Sequence, residues 1–310
     1  MTDSNTSAAR IFVIGSGVVG TATGLGFRTA GHRVTFVDIA PDRVQALRGR
    51  DLDAHRVLDL SGESDAFVLL TLPTPNVGPA YDLTAFTAGV ESVGRALRDS
   101  PARHTVVVRS TVPPGTTDDL VRPILERASG LVAGEGFGLA SNPEFLRAAT
   151  AEQDFAHPWM TVVGSRDDAT TARLRELLAP FGGELRTFAD PATAELVKCA
   201  HNIFNATKIS FWNEMWLVAQ RIGVDLDEVA TTVARSAEGS INPRYGIRGG
   251  APYGGVCLPK DTNGFLGYAG GVGVDMPLLR AVVETNDRLE IVMSRETDAA
   301  VDHGRVPDVA

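Results

Sequence analysis

"RIFVIGSGVVG", residues 10–20, is an apolar run of strand length that ends in three glycines. Gly15, Gly17 and Gly20 fall in the spacing G-x-G-x-x-G, and the segment that follows, "TATGLGFRTAG", has helix length before it stops at Gly31. A second apolar stretch, "RVTFVD", ends in Asp38. Between a strand and a helix this spacing has a physical use. The glycines permit a tight turn and bring backbone amides against a pyrophosphate at the helix N-terminus. An acid at the end of the next strand accepts ribose hydroxyls and repels a 2′-phosphate. The stretch predicts a nucleotide-binding α/β domain that takes NAD rather than NADP. A glycine turn that binds nothing is the plainer alternative.

Working outward, strand candidates recur at α/β spacing over 66–72, 105–110, 138–141 and 161–164, with amphipathic stretches such as 82–98 and 117–128 between them. Three turns, "LPTP" (72–75), "STVPPGT" (110–116) and "SNPEF" (141–145), follow or close strands. In an open parallel sheet ligands bind outside the carboxyl ends of the strands, so Thr74 and Thr111 are candidate neighbours of a cofactor or substrate. From Pro191 a long helical pattern runs to Gly223, and a second, "DLDEVATTVARS", follows. A Gly- and Pro-rich loop over 239–261 precedes a last helix that starts near Asp275, with Pro277 in its first turn. Leu278, Val282, Leu289 and Val292 give that helix an apolar stripe, suited to a core or a dimer seam.

Composition narrows the function classes. A chain of 310 residues, 44% hydrophobic and 22% charged, suits a soluble protein of about two domains. A net charge of −9 argues against a general nucleic-acid surface. Two distant cysteines and six scattered histidines offer neither a disulfide framework nor metal-ligand spacing, so no metal is expected. The polar N-terminus lacks a signal-peptide core and no apolar run reaches membrane-spanning length; cytoplasmic placement is the expectation.

Of 29 basic residues only Lys198, Lys208 and Lys260 are lysines, which makes each worth examining. Lys198 and Asn202 are four apart on the long helix and share a face; an ammonium beside an amide can stabilise an oxyanion. Cys199 points about 100° away from Lys198 and reads as a small packing residue. The second thiol lies in "PYGGVCLPKD" (252–261). Its glycines leave the backbone of Cys257 open to close approach, Pro259 stiffens the loop beyond, and Lys260 and Asp261 are near enough to activate the thiol and manage protons. Cys257 is either a core residue in a tight turn or a nucleophile. A thiol beside a nicotinamide suggests an alcohol oxidised to an aldehyde, captured as a thiohemiacetal, oxidised again to a thioester and hydrolysed to the acid.

Five motifs in this order, "GSGVVG", "STVPPGT", "SNPEFL", "KCAHNIFNATKISFWNE" and "GGVCLPKD", resemble the UDP-glucose/GDP-mannose dehydrogenase family over nearly the whole chain. The resemblance implies a Rossmann-type doubly wound parallel sheet over 10–189 and an all-helical central dimerisation domain over 190–296. Tails over 1–9 and 297–310 complete the expected organisation. It also implies a homodimer and a four-electron oxidation of a sugar CH2OH to a carboxylate with two NAD. Carried over by position, Cys257 is the nucleophile, Lys198 with Asn202 stabilises the oxyanion, and Asp261 holds a water or moves protons. Glu144 and Thr111 support the general base and its water. The cofactor falls to Gly15, Gly17, Val18, Val19, Gly20, Asp38, Arg43, Thr74, Pro75, Thr111 and Lys260. The sugar substrate, phosphorylated or nucleotide-linked, falls to Glu144, Phe145, Leu146, Lys198, Asn202, Arg248, Tyr253, Gly254 and Cys257.

Three departures qualify the resemblance. The family pattern "NPEFLREG" places a glutamate where this chain has Ala148. The segment between Asp38 and Phe67 is short, as if a helix and a strand had been trimmed. The resemblance also leads to the expectation that the family's further Rossmann-like domain, which grips the nucleotide, is not within this sequence, and that its remote binding energy would have to come from elsewhere. Two other readings follow: a two-electron dehydrogenase that stops at the aldehyde, motivated by Ala148, and a non-catalytic NAD- and sugar-binding protein.

Overall fold

The structure, a computed structural model, describes residues 8–77, 80–236, 252–255 and 257–302. It packs as two compact units, Met1–Asn202 and Ile203–Ala310.

The first unit is built on β1 (Arg10–Ile14), α1 (Val18–Thr29), β2 (Arg33–Val37), α2 (Pro41–Arg48), β3 (Ala54–His55) and β4 (Phe67–Leu70). A small hairpin of β5 (Asn76–Val77) and β6 (Ala80–Tyr81) leads into α3 (Thr84–Arg98) and β7 (Thr105–Val108). One turn of wider helix over Thr117–Val121 runs into α4 (Arg122–Ser129), followed by β8 (Gly138–Ser141), α5 (Ala151–Ala156), β9 (Met160–Gly164), α6 (Asp168–Leu178) and β10 (Glu184–Phe188). The helix α7 (Pro191–Ile222) begins in this unit. The strand order is β10-β9-β8-β7-β4-β1-β2-β3. From β3 to β8 every pairing is parallel. The sheet is not wholly parallel as expected: β9 meets β8 through an antiparallel bridge, Ser141 to Gly164, and β10 then pairs parallel with β9.

Alternation along the strands sorts the core into two layers. Phe12, Ile14, Val68, Leu70, Val106 and Val108 face one layer, closed by Phe86, Val90 and Leu97 of α3 and Leu125 of α4. Ile11, Val13, Phe36, Phe67, Leu69 and Val107 face the other, closed by Phe27 of α1, Phe155 of α5 and Leu174 of α6. Strands buried on both faces need continuous apolar runs, and "TVVV" and "FVLL" supply them. The segment between Asp38 and Phe67 is not empty of structure: it holds α2 and the two-residue β3.

The second unit contains the rest of α7, α8 (Leu226–Ser236), α9 (Cys257–Gly271) and α10 (Pro277–Asp302). Val218, Ala269 and Met276 form its buried centre, with Met215, Phe265 and Leu279 packed on them. Glu214 caps α10, accepting from the N–H groups of Leu278 at 2.5 Å and Leu279 at 3.1 Å. The expected loop over 239–261 ends earlier: Cys257 starts a helix, with Pro259 in the first turn, where its missing N–H costs no hydrogen bond. The last helix runs to Asp302, beyond the expected tail boundary at 297. Among the described residues no helix is long and apolar enough to cross a membrane.

Candidate active site

At the carboxyl ends of β1 and β4 the chain makes the turn that its glycines anticipate. Gly15 has φ +93°, and a Cβ there would lie 2.8 Å from the Thr71 carbonyl oxygen. A Cβ on Gly20 would lie 2.0 Å from the Gly15 carbonyl oxygen, so helix and turn approach this closely only without side chains. The Thr71 hydroxyl donates to the carbonyls of Gly15 at 2.6 Å and Ile14 at 3.0 Å, which locks the turn. Asp38 completes it. One carboxylate oxygen accepts the Ser16 N–H at 2.8 Å and the other the Ala40 N–H at 2.9 Å. Arg43 donates to the Ser16 carbonyl at 2.9 Å.

Above this turn lies a cavity of about 710 Å³. Its wall brings together Gly15, Gly17, Val18, Val19, Asp38 and Arg43 with the turn residues Thr74 and Thr111, and with Glu144. Gly20 and Pro75 are outside the lining. The start of α1 leaves unpaired amides beside the cavity, and the carboxylate of Asp38 keeps lone pairs for ribose hydroxyls. These donors and acceptors, with a cradle that a Cβ would fill, fit a dinucleotide.

Around Glu144 a second cluster forms. Its carboxylate accepts from the Leu146 N–H and from the ammonium of Lys198 at 3.3 Å, with side chains only 9% and 6% exposed. Lys198 also sits 5.4 Å from the centre of the Phe145 ring. Phe145 meets His201 edge-on at 5.1 Å, and His201 stacks on Trp159 at 5.5 Å. Burial, and then the Lys198 charge, hold His201 below the usual histidine range, against an opposing pull from Glu144. Asn202, four residues after Lys198, is exposed. Cys199 bonds the Val112 carbonyl at 3.6 Å, and burial pushes its thiol up, as suits a packing residue. Thr74 donates to the Thr111 carbonyl at 2.7 Å, joining the two turns.

The remaining sequence-predicted residues belong to the second unit. Cys257 is exposed at the start of α9, with Lys260 and Asp261 three and four residues on and paired at 3.1 Å, both exposed. The Tyr253 N–H donates to the buried Asn286 side chain at 2.7 Å, tying "PYGG" to α10, and Gly254 beside it is exposed. Arg248 lies outside the described residues. Among the described residues no cluster of His, Cys, Asp and Glu could hold a metal ion.

Residues 52–182 match the UDP-glucose/GDP-mannose dehydrogenase family's NAD binding domain, and residues 192–288 match its central domain. The chain is 35% identical to GDP-mannose 6-dehydrogenase of Pseudomonas syringae pv. tomato, over 89% of this chain and 68% of that protein. The chain belongs to the UDP-glucose/GDP-mannose dehydrogenase family. It is likewise 35% identical to UDP-glucose 6-dehydrogenase AglM of Haloferax volcanii, over 89% of this chain and 69% of that one. A solved ternary complex of GDP-mannose dehydrogenase from Pseudomonas aeruginosa superposes with TM-score 0.84 at 30% identity, covering 92% of this chain and 71% of that chain. As a member of the UDP-glucose/GDP-mannose dehydrogenase family the chain is an NAD-dependent dehydrogenase acting on CH–OH donors, and its cofactor is NAD.

Sequence reasoning missed Arg109, which lines the cavity while only 5% exposed. It donates to the Asn142 side chain, and Asn142 donates to the Val162 carbonyl at 2.7 Å. Burial lowers the Arg109 pKa to about 10, with Glu144 opposing the fall. Its position next to "STVPPGT", at the end of a strand, was the available signal.

Proposed function

We propose that this enzyme oxidises the primary alcohol of a nucleotide sugar to the carboxylate, through a thiohemiacetal and a thioester on Cys257. The observation that carries the reading is the Lys198–Glu144 pair, buried and joined to the cofactor cavity through Glu144. A carboxylate beside an ammonium is the pairing that can accept a hydroxyl proton and then meet the charge of the alkoxide, which supports the reading. NAD, held at the glycine turn, would supply the hydride acceptor for each of the two oxidations.

In this reading Glu144 takes up the hydroxyl proton through a water that Thr111 helps to hold, Lys198 and Asn202 stabilise the alkoxide, and loss of a first hydride from it leaves the aldehyde. The Cys257 sulfur then bonds to the aldehyde carbon; the carbonyl electron pair moves to oxygen, where Lys198 again meets the charge. Loss of a second hydride from that carbon, as the oxyanion re-forms the carbonyl, leaves the thioester. Water held at Asp261 attacks it, the C–S bond breaks, and the thiol regains a proton. Support for the nucleophile comes from its exposure at the start of α9, with Asp261 four residues on. Asp38 and the glycine turn hold the adenosine and pyrophosphate, with Arg43 and Thr74 at the cavity wall. Phe145, Leu146, Tyr253, Gly254 and Arg248 contact the substrate, and Lys260 the cofactor.

GDP-mannose and UDP-glucose, the substrates in the relatives' names, are the first to assay. Two NADH per sugar consumed are expected. A ratio of one supports the alternative that stops at the aldehyde, which the exposed Ala148 favours by placing no acid there.

A homodimer belongs to the same proposal. Ile203, Phe204, Ile209 and Trp216 are 65, 68, 62 and 49% exposed on α7, a density of apolar surface that a partner copy would cover. Sedimentation at micromolar concentration is expected to show twice the chain mass; a monomer removes this part of the proposal.

A further inference from the structure

Glu195 is a buried carboxylate, 2% exposed, to which neither the sequence motifs nor the proposed chemistry assigns a task. It lies one turn before Lys198 on α7, and its two oxygens are fully engaged by the turn that follows β7. One accepts the Gly115 N–H at 2.6 Å; the other accepts the Thr117 N–H at 2.9 Å and the Thr117 hydroxyl at 2.5 Å. Gly115 has φ +95°, and a Cβ there would lie 2.9 Å from the Asp119 carboxylate, so the turn keeps this shape only with glycine. Four residues after Glu195, Cys199 bonds the Val112 carbonyl of the same turn. Positions 198 and 199 lie one turn on from 195 and flank it to either side, so each neighbours Glu195. Two of them are tied to the turn that starts at Thr111, and the third, Lys198, reaches Glu144.

The geometry points to Glu195 as a positioning residue: its carboxylate clasps the 111–117 turn to α7 and so sets Thr111 in register with Lys198, the partner of Glu144. Burial pushes the Glu195 carboxyl above the usual carboxylate range, and the hydrogen bonds from Thr117 and Gly115 oppose that rise; the three donors, two of them backbone amides, occupy both carboxyl oxygens. The inference rests on the reading that Thr111, Glu144 and Lys198 serve the reaction.

Two readouts on the full chain separate the clasp from that reading. By hydrogen exchange, the amides of Gly115 and Thr117 are expected to be protected in the wild type and to exchange at least about tenfold faster in Glu195→Gln. By kinetics with GDP-mannose or UDP-glucose, Glu195→Gln is expected to lose about 10–100-fold in kcat with KM for NAD changed less than about threefold. Thr117→Val is expected to lose less, and the double variant no more than Glu195→Gln alone. Multiplicative losses, or unchanged exchange in Glu195→Gln, overturn the clasp. Faster exchange with undiminished kcat keeps the clasp but overturns its catalytic relevance, and with it the assumed role of Thr111. If Glu195→Gln does not fold, Thr117→Val against Thr117→Ser decides: the clasp requires that serine, which restores the hydroxyl, restores both protection and kcat.

Discussion

Cys257→Ala is expected to bind NAD as the wild type does and to lose acid formation by about 10³-fold or more. The expectation follows from the atoms involved. Without sulfur the aldehyde has no covalent anchor, so the second oxidation lacks its thiohemiacetal. An exposed cysteine replaced by alanine removes no packing, and the side chain contributes nothing to the unit's buried centre. Stability should therefore move less than about 0.5 kcal/mol. The measurement is NADH and acid formed per sugar, with thermal unfolding as the control. Undiminished acid formation would remove Cys257 from the mechanism. One NADH per sugar, with aldehyde accumulating, would place the thiol in the second oxidation alone.

The second large effect belongs to Lys198. Replacing it by Met leaves the Glu144 carboxylate buried with the Leu146 N–H and without its ammonium. Breaking one side of such a pair costs about 3–5 kcal/mol of stability. Loss of the oxyanion partner adds about 10²–10³-fold in kcat. The two consequences separate in Lys198→Met/Glu144→Gln. That double variant removes both charges, so stability should largely return while activity stays lost. Urea unfolding together with kcat measures both; a double variant as unstable as Lys198→Met alone would mean that the pair is not what the lysine stabilises.

Much of this site is legible from local sequence because its physics is local. Glycines at 15, 17 and 20 are demanded by a turn only a few residues long, and Asp38 reaches the Ser16 amide because a strand and its neighbour end together. Runs such as "TVVV" announce strands because both faces of the sheet are covered. β10 escaped notice for the opposite reason: "ELRTF" carries two charges and lies at the sheet's edge, where half-exposure dilutes the apolar signal. The helix start at Cys257 was hidden by the glycines and proline around it, residues that read as a loop yet are tolerated just before and within a first turn.

By itself the sequence determined the α/β class, the glycine turn and the acid that completes it. Tertiary structure alone decided which charges meet. Glu144 and Lys198 lie 54 positions apart and Glu195 and Thr117 lie 78 apart, and no periodicity relates either pair. A buried charge takes its partner from whatever the sheet order sets beside it, a property of through-space distance and desolvation that a linear pattern does not encode.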